Sequence, residues 1–153
     1  MATFRFRAEA ALDLRRREEK DALLVRARAE ARFREAHATL VAEERRRETA
    51  QANLVLIQRQ GSEVETILWH RNWIVRLAAN VDQFRRELEE RAKEVRAADA
   101  LWREARKRRM ALERMRDLAQ HRFQKDELRQ EMKSMDELAR IRYVMPDTWR
   151  SEP

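Results

Sequence analysis

The sequence predicts an all-α fold, a long antiparallel two-helix coiled-coil hairpin, and three observations carry that expectation. The 153-residue chain holds one glycine and two prolines, which leaves little material for tight turns or strand bulges. Apolar residues recur every three or four positions over most of its length, the spacing of one helix face. Asp, Glu, Lys and Arg make up 41% of the residues against an average of roughly 25%, and they fill the intervening positions as the wet faces of helices require.

Helix one is expected over residues 4–59. Its seam steps through Ala22, Ala29, Phe33, Ala36 and Leu40, then Ala50, Leu54 and Ile57, and its many alanines let a partner helix approach closely. The charged run from Glu43 to Glu48 interrupts it and puts Glu43 and Arg47 on the seam itself. The tip is expected at residues 58–64, where Gly61 suits the left-handed residue that ends a helix and Ser62 can cap the next.

Helix two is expected over residues 63–143, with a seam of Ile67, Ile74, Leu77, Val81, Phe84, Leu88, Val95, Ala98, Trp102 and Ala105, looser through Leu112 and Ala119. A repeat of 3.5 residues kept this long implies a left-handed coiled coil. Pro146 stops the helix, and residues 144–153 form a flexible tail containing Trp149. A rival geometry makes residues 63–79 a short extra helix near the tip, with Asn80 capping a long helix from Val81. A turn at Gly61 sets Phe33 against the Leu88–Ala92 turn, Ala22 near Trp102 and Phe4 near Leu118, and leaves everything after about residue 120 as a single overhanging helix. The whole chain reads as one coiled-coil domain.

Composition limits the chemistry. One glycine cannot write a phosphate-cradling loop, and the absence of cysteine removes disulfides, thiolate nucleophiles and cysteine-ligated metals. His37, His70 and His121 lie too far apart in sequence for a local metal motif. No carboxylate pair has a pocket to raise its pKa for acid–base work, so neither a cofactor nor an enzymatic activity is expected. The 30 Arg and 5 Lys face 28 acids for a net charge of +7, a surface of mixed sign rather than a uniformly basic one. No signal-peptide core follows the N-terminus and no apolar run could span a bilayer. A cytoplasmic protein is expected.

Certain segments resemble a known family. Trp102-Arg103-Glu104-Ala105-Arg106-Lys107-Arg108-Arg109, then Leu112-Glu113-Arg114-Met115 and Glu131-Met132-Lys133-Ser134-Met135-Asp136-Glu137-Leu138-Ala139, resemble the C-terminal half of the flagellar export protein FliJ. Phe4-Arg5-Phe6, leading to Leu12-Asp13-Leu14 and the Arg15–Glu19 run, is similar to the start of many members, and Gly61-Ser62 followed by bulky apolar residues fits as well. Injectisome stalk proteins of the YscO type share the plan. The resemblance implies a stalk-like coil of type III export that binds the hexameric export ATPase, promotes its activity, and engages the cytoplasmic domain of the membrane export gate. It would be peripheral to the membrane at most, and escort of export chaperones is also attributed to the family.

Two surfaces are candidates for those contacts. Trp69 and Trp73 lie off the seam, opposite the charged Glu43–Glu48 run, so apolar residues 69–84 look undercovered. With the resemblance, Trp69, Trp73, Leu77, Asn80 and Phe84 become candidates for the gate; a folded-back tip that buries the tryptophans is the alternative. The overhang carries a second stripe of Leu128, Met132, Met135 and Ala139, with Leu138 and Ile141 beside it. By analogy to a rotary stalk, Glu131, Met135, Asp136, Glu137 and Ala139 are the ATPase candidates, and a homodimer through this stripe is the alternative. The Arg103–Arg109 run allows a rival class, a basic coiled-coil nucleic-acid binder, but Glu104 and Glu113 interrupt it. No specific nucleic acid is expected.

Overall fold

The computed structural model describes residues 3–144; the predicted stop at Pro146 and Trp149 lie outside the described residues. Two helices, α1 (Glu9–Arg59) and α2 (Val64–Val144), pack against each other as an all-α hairpin.

The turn is built as the sequence suggests. Gly61 has a φ of 74°, the left-handed region that costs a Cβ-bearing residue roughly 1–2 kcal/mol. The Ser62 N–H donates to the Ile57 carbonyl (3.4 Å) and the Gly61 N–H to that of Gln58 (3.4 Å), the paired bonds of a Schellman motif. The first bond of α2 runs from the Ile67 N–H to the Glu63 carbonyl (3.2 Å). Glu63, not Ser62, therefore takes the N-cap position.

The short extra helix is not formed, because α2 runs unbroken from Val64 through Asn80. Leu77 and Val81 flank Asn80 and are both fully buried, so ending the helix there would break the seam at its best-packed point. The Asn80 amide instead donates across to Glu43 (3.1 Å).

By their internal contacts the residues form two compact units, one of residues 17–106, the other of the chain up to Arg16 with the chain from Lys107 onward. In the first, every predicted seam residue is buried or half-buried; Ala29, Leu40, Ala50, Leu77, Val81 and Ala98 make its core. Arg26 pairs with Asp99 at 3.3 Å and lies 4.8 Å from the Trp102 ring, so Trp102 faces a position one turn beyond the expected Ala22. The Schellman turn places Gly61, Ser62 and Glu63 ahead of α2, which carries the facing positions toward higher α2 numbers.

In the second unit α1 starts at Glu9, five residues later than expected. Phe4 and Phe6 are half-buried while Arg5 and Arg7 are exposed. Alternation of period two suits an extended segment; in a helix the two phenylalanines would point nearly opposite ways. The Phe4 ring packs on Phe123 at 5.6 Å, rather than near Leu118, which is exposed. Leu12, outside the predicted seam, is fully buried. Beyond Glu127 every described side chain is exposed, as an overhanging helix requires.

Candidate functional site

The gate candidates lie in the 17–106 unit, around a polar layer in its core. Glu43 is 6% exposed. A carboxylate so buried needs partners, and it has two: Asn80 Nδ2 donates to Oε1 and Arg46 Nη1 to Oε2 (3.3 Å). Beside it, Glu44 accepts from Arg85 at 2.8 Å. Glu43 and Glu44 of the charged run are thus engaged across the helix pair.

On the flank of this layer, Trp69 and Trp73 stack nearly parallel, 6.5 Å apart at 16°. Their spacing of four on a continuous helix sets one ring over the next. The Arg46 guanidinium lies 5.7 Å from the Trp73 ring, within cation–π range, and His70 meets the Trp69 ring edge-on at 4.9 Å. Trp73 is half-buried; Trp69 stays 63% exposed. No folded-back tip covers them. The two rings wall an open groove of about 470 Å³ whose α1 side is Arg45, Arg46, Thr49 and Asn53. On their other flank a depression of about 150 Å³ takes in Asn72 and Arg76.

The five gate candidates therefore separate. Trp69 and Trp73 line the groove, the Leu77 side chain is sealed in the core, and Asn80 is committed to Glu43. Phe84, half-buried, lines a neighbouring groove with Arg32, Glu35 and Arg91. The stretch 69–84 is thus less open than its sequence suggests, since Leu77 and Val81 are covered. Around the tryptophans the exposed apolar side chains are Val64, Leu68, Trp69 and Val75, near the start of α2. The basic side of the groove, Arg45 and Arg46, comes from the charged run opposite the tryptophans; its signal is the Arg45-Arg46-Arg47 triplet within that run.

The ATPase candidates lie in the other unit. Glu131, Met135, Asp136, Glu137 and Ala139 are all exposed. At 100° per residue Met135 and Ala139 share a face with Leu128 and Met132, Glu131 and Asp136 flank that face on either side at about 70° from its centre, and Glu137 points the opposite way. Leu128, Met132, Met135 and Leu138 are 59–72% exposed, a stripe that nothing among the described residues covers.

The Arg103–Arg109 run is largely committed within the chain. Arg103 pairs with Asp99 at 2.7 Å, Arg106 lies 5.4 Å from the Trp102 ring, and Arg109 pairs with Glu113. Cations so engaged make a poor phosphate-tracking stripe. Among the described residues there is no cluster of three or more acidic or histidine side chains that could hold a metal ion, and no helix long and apolar enough to cross a membrane.

A family model described as flagellar FliJ protein matches residues 6–146. No curated protein and no solved structure matches the chain.

Proposed function

The chain belongs to the flagellar FliJ protein family, a component of flagellar protein export, and from that membership we propose that it acts as a non-enzymatic, stalk-like coiled coil that binds and promotes the hexameric export ATPase and contacts the cytoplasmic domain of the export gate. The observation that carries the reading is a family match over residues 6–146, nearly the whole chain, so both helices and the turn fall inside it. Two features of the surface support it. The uncovered stripe of α2 around Met132 and Met135 offers the ATPase an apolar helix face of the kind that docks in grooves. The exposed Trp69 beside Trp73 offers the gate a large aromatic anchor, the residue type that dominates binding hot spots. Escort of export chaperones, in the cytoplasm at the membrane-bound apparatus, belongs to the same proposal.

The deciding measurement is ATP hydrolysis by the cognate export ATPase with and without the full chain, paired with co-elution. Stimulation that is lost on replacing Met132 and Met135 by Asp is expected. No stimulation together with no co-elution would remove the stalk reading.

A further inference from the structure

We propose that the groove at Trp69 and Trp73 receives an acidic peptide segment bearing one bulky apolar side chain; taking that segment to be part of the gate rests on the gate-contact reading above. The argument begins with charge. The α1 side of the groove presents Arg45 and Arg46, the far flank of the tryptophans presents Arg76, and no carboxylate lines either depression. Of the nearest acids in sequence, Glu43 is committed to Asn80 and Arg46 and Glu44 to Arg85, and the exposed Glu48 lines neither depression. Arg45 and Arg76 have no ion pair among the described residues, and both are exposed. In a chain with 28 acids against 35 bases, this is a place where positive charge is left for a partner to neutralise.

The apolar half of the recognition comes from the rings. A 63% exposed Trp69 held parallel to Trp73 is a rigid surface that loses little entropy on binding, and Arg46 over Trp73 already fixes the second ring. An apolar side chain laid on Trp69 would put the carboxylates before and after it within reach of Arg45 on one side and Arg76 on the other. Arginine suits this role because its planar fork can accept a carboxylate bidentately. A second copy of the chain is a poor occupant, since its own groove would set arginine against arginine. A nucleic acid would need a longer basic stripe than three arginines, and the Arg103–Arg109 run is largely engaged within the chain.

The test uses the full chain, the purified cytoplasmic domain of the gate, and a fluorescein-labelled octapeptide of Glu and Asp around a Leu-Phe pair. Its counterpart with Gln and Asn in place of the acids is the control. The acidic peptide should bind, quench tryptophan emission, and weaken by about tenfold between low and moderate salt as charge is screened. Arg45→Glu with Arg76→Glu should weaken both peptide and gate domain by about tenfold or more at unchanged helicity, since neither side chain packs in the core. Equal binding of the acidic and neutral peptides, or no binding of either, overturns the proposal. So does a gate domain that binds the wild type and the double variant alike, although the gate reading then stands. A gate domain that does not bind the wild type removes the gate reading, while the peptide result still decides the chemistry of the groove. Tighter, arginine-dependent binding of a single-stranded oligonucleotide overturns the proposal in favour of a nucleic acid.

Discussion

Leu77 and Met135 are both apolar residues of α2 at coiled-coil spacing, yet one is completely covered and the other is 72% exposed. Leu77 belongs to the unit of residues 17–106, where α1 supplies a facing seam; Met135 lies where the described chain supplies none. The helical pattern is the same in both regions. What differs is where the partner surface comes from, so periodicity alone reports that a face must be covered and not by what. The contrast gives the largest expected effect. Leu77→Ala should cost about 2–5 kcal/mol through lost burial and a residual cavity, read as a lower urea midpoint. Met135→Ala should leave that midpoint within about 0.5 kcal/mol, as exposed substitutions do. Equal losses would mean the α2 end is covered in solution, and sedimentation would then reveal a dimer.

The polar layer inside the paired unit sharpens the comparison next. Asn80→Ala removes one of two partners from a carboxylate that is 6% exposed, and an unsatisfied buried acceptor costs about 1–3 kcal/mol. Glu43→Leu together with Asn80→Leu should be far milder, because the buried carboxylate and the exposed amide that bonds it go together and no buried acceptor is left unsatisfied. We expect that apolar variant to lose uniqueness of pairing, detectable as broadened amide resonances or a mixed oligomeric state, since a polar residue on a seam specifies register. A double variant that is weaker than Asn80→Ala would show that the layer stabilises outright.

The turn that makes the pairing possible is third. A Cβ at Gly61 meets nothing within 4 Å, so only its φ of +74° resists substitution. Gly61→Ala should therefore cost about 1 kcal/mol, and Gly61→Asn less, because asparagine tolerates the left-handed region. A neutral Gly61→Ala would mean that the Schellman geometry is not retained.

How much of this was legible can be traced to particular residues. The seams from Ala22 to Ile57 and from Ile67 to Ala119 are covered as their spacing predicts, because apolar periodicity is a direct record of burial. Leu12 is hidden from the apolar pattern because Glu19 and Arg15 occupy the seam between it and Ala22; steps of three and four back from Ala22 through them arrive at Leu12. The helix begins at Glu9 and not at Phe4 because Phe4-Arg5-Phe6 has a period of two, the pattern of an extended segment. The groove was only half legible. Trp69 and Trp73 announce themselves by lying off the seam, but that Leu77 is sealed, and that Arg45 and Arg46 form the opposite wall, depends on a register no single sequence fixes.

The smallest effect concerns the surface ion pairs, and it tests whether they, rather than the seam, distinguish the two regions. Lys93 donates to Glu90 at 2.7 Å in the paired unit, and Arg129 lies 3.7 Å from Asp126 in the uncovered stretch. The hydrogen bond that the Lys93 amine donates to Glu90, and the charge of that carboxylate, hold the amine above its ordinary pKa. A raised amine pKa means that the pair's contribution is fully present below the ordinary lysine range near 10.5 and is lost as pH rises through the raised value. Because both side chains are exposed, solvent screens the pair and little stability is at stake. Lys93→Met should lower the urea midpoint at pH 7 only slightly, with the difference from wild type vanishing as pH rises through the lysine range, and Arg129→Met should leave the midpoint unmoved. If Lys93→Met instead lowered the neutral midpoint as far as Gly61→Ala does, the 41% charge would have to be counted among the forces that pair the helices, and the contrast between Leu77 and Met135 would no longer rest on the apolar seam alone.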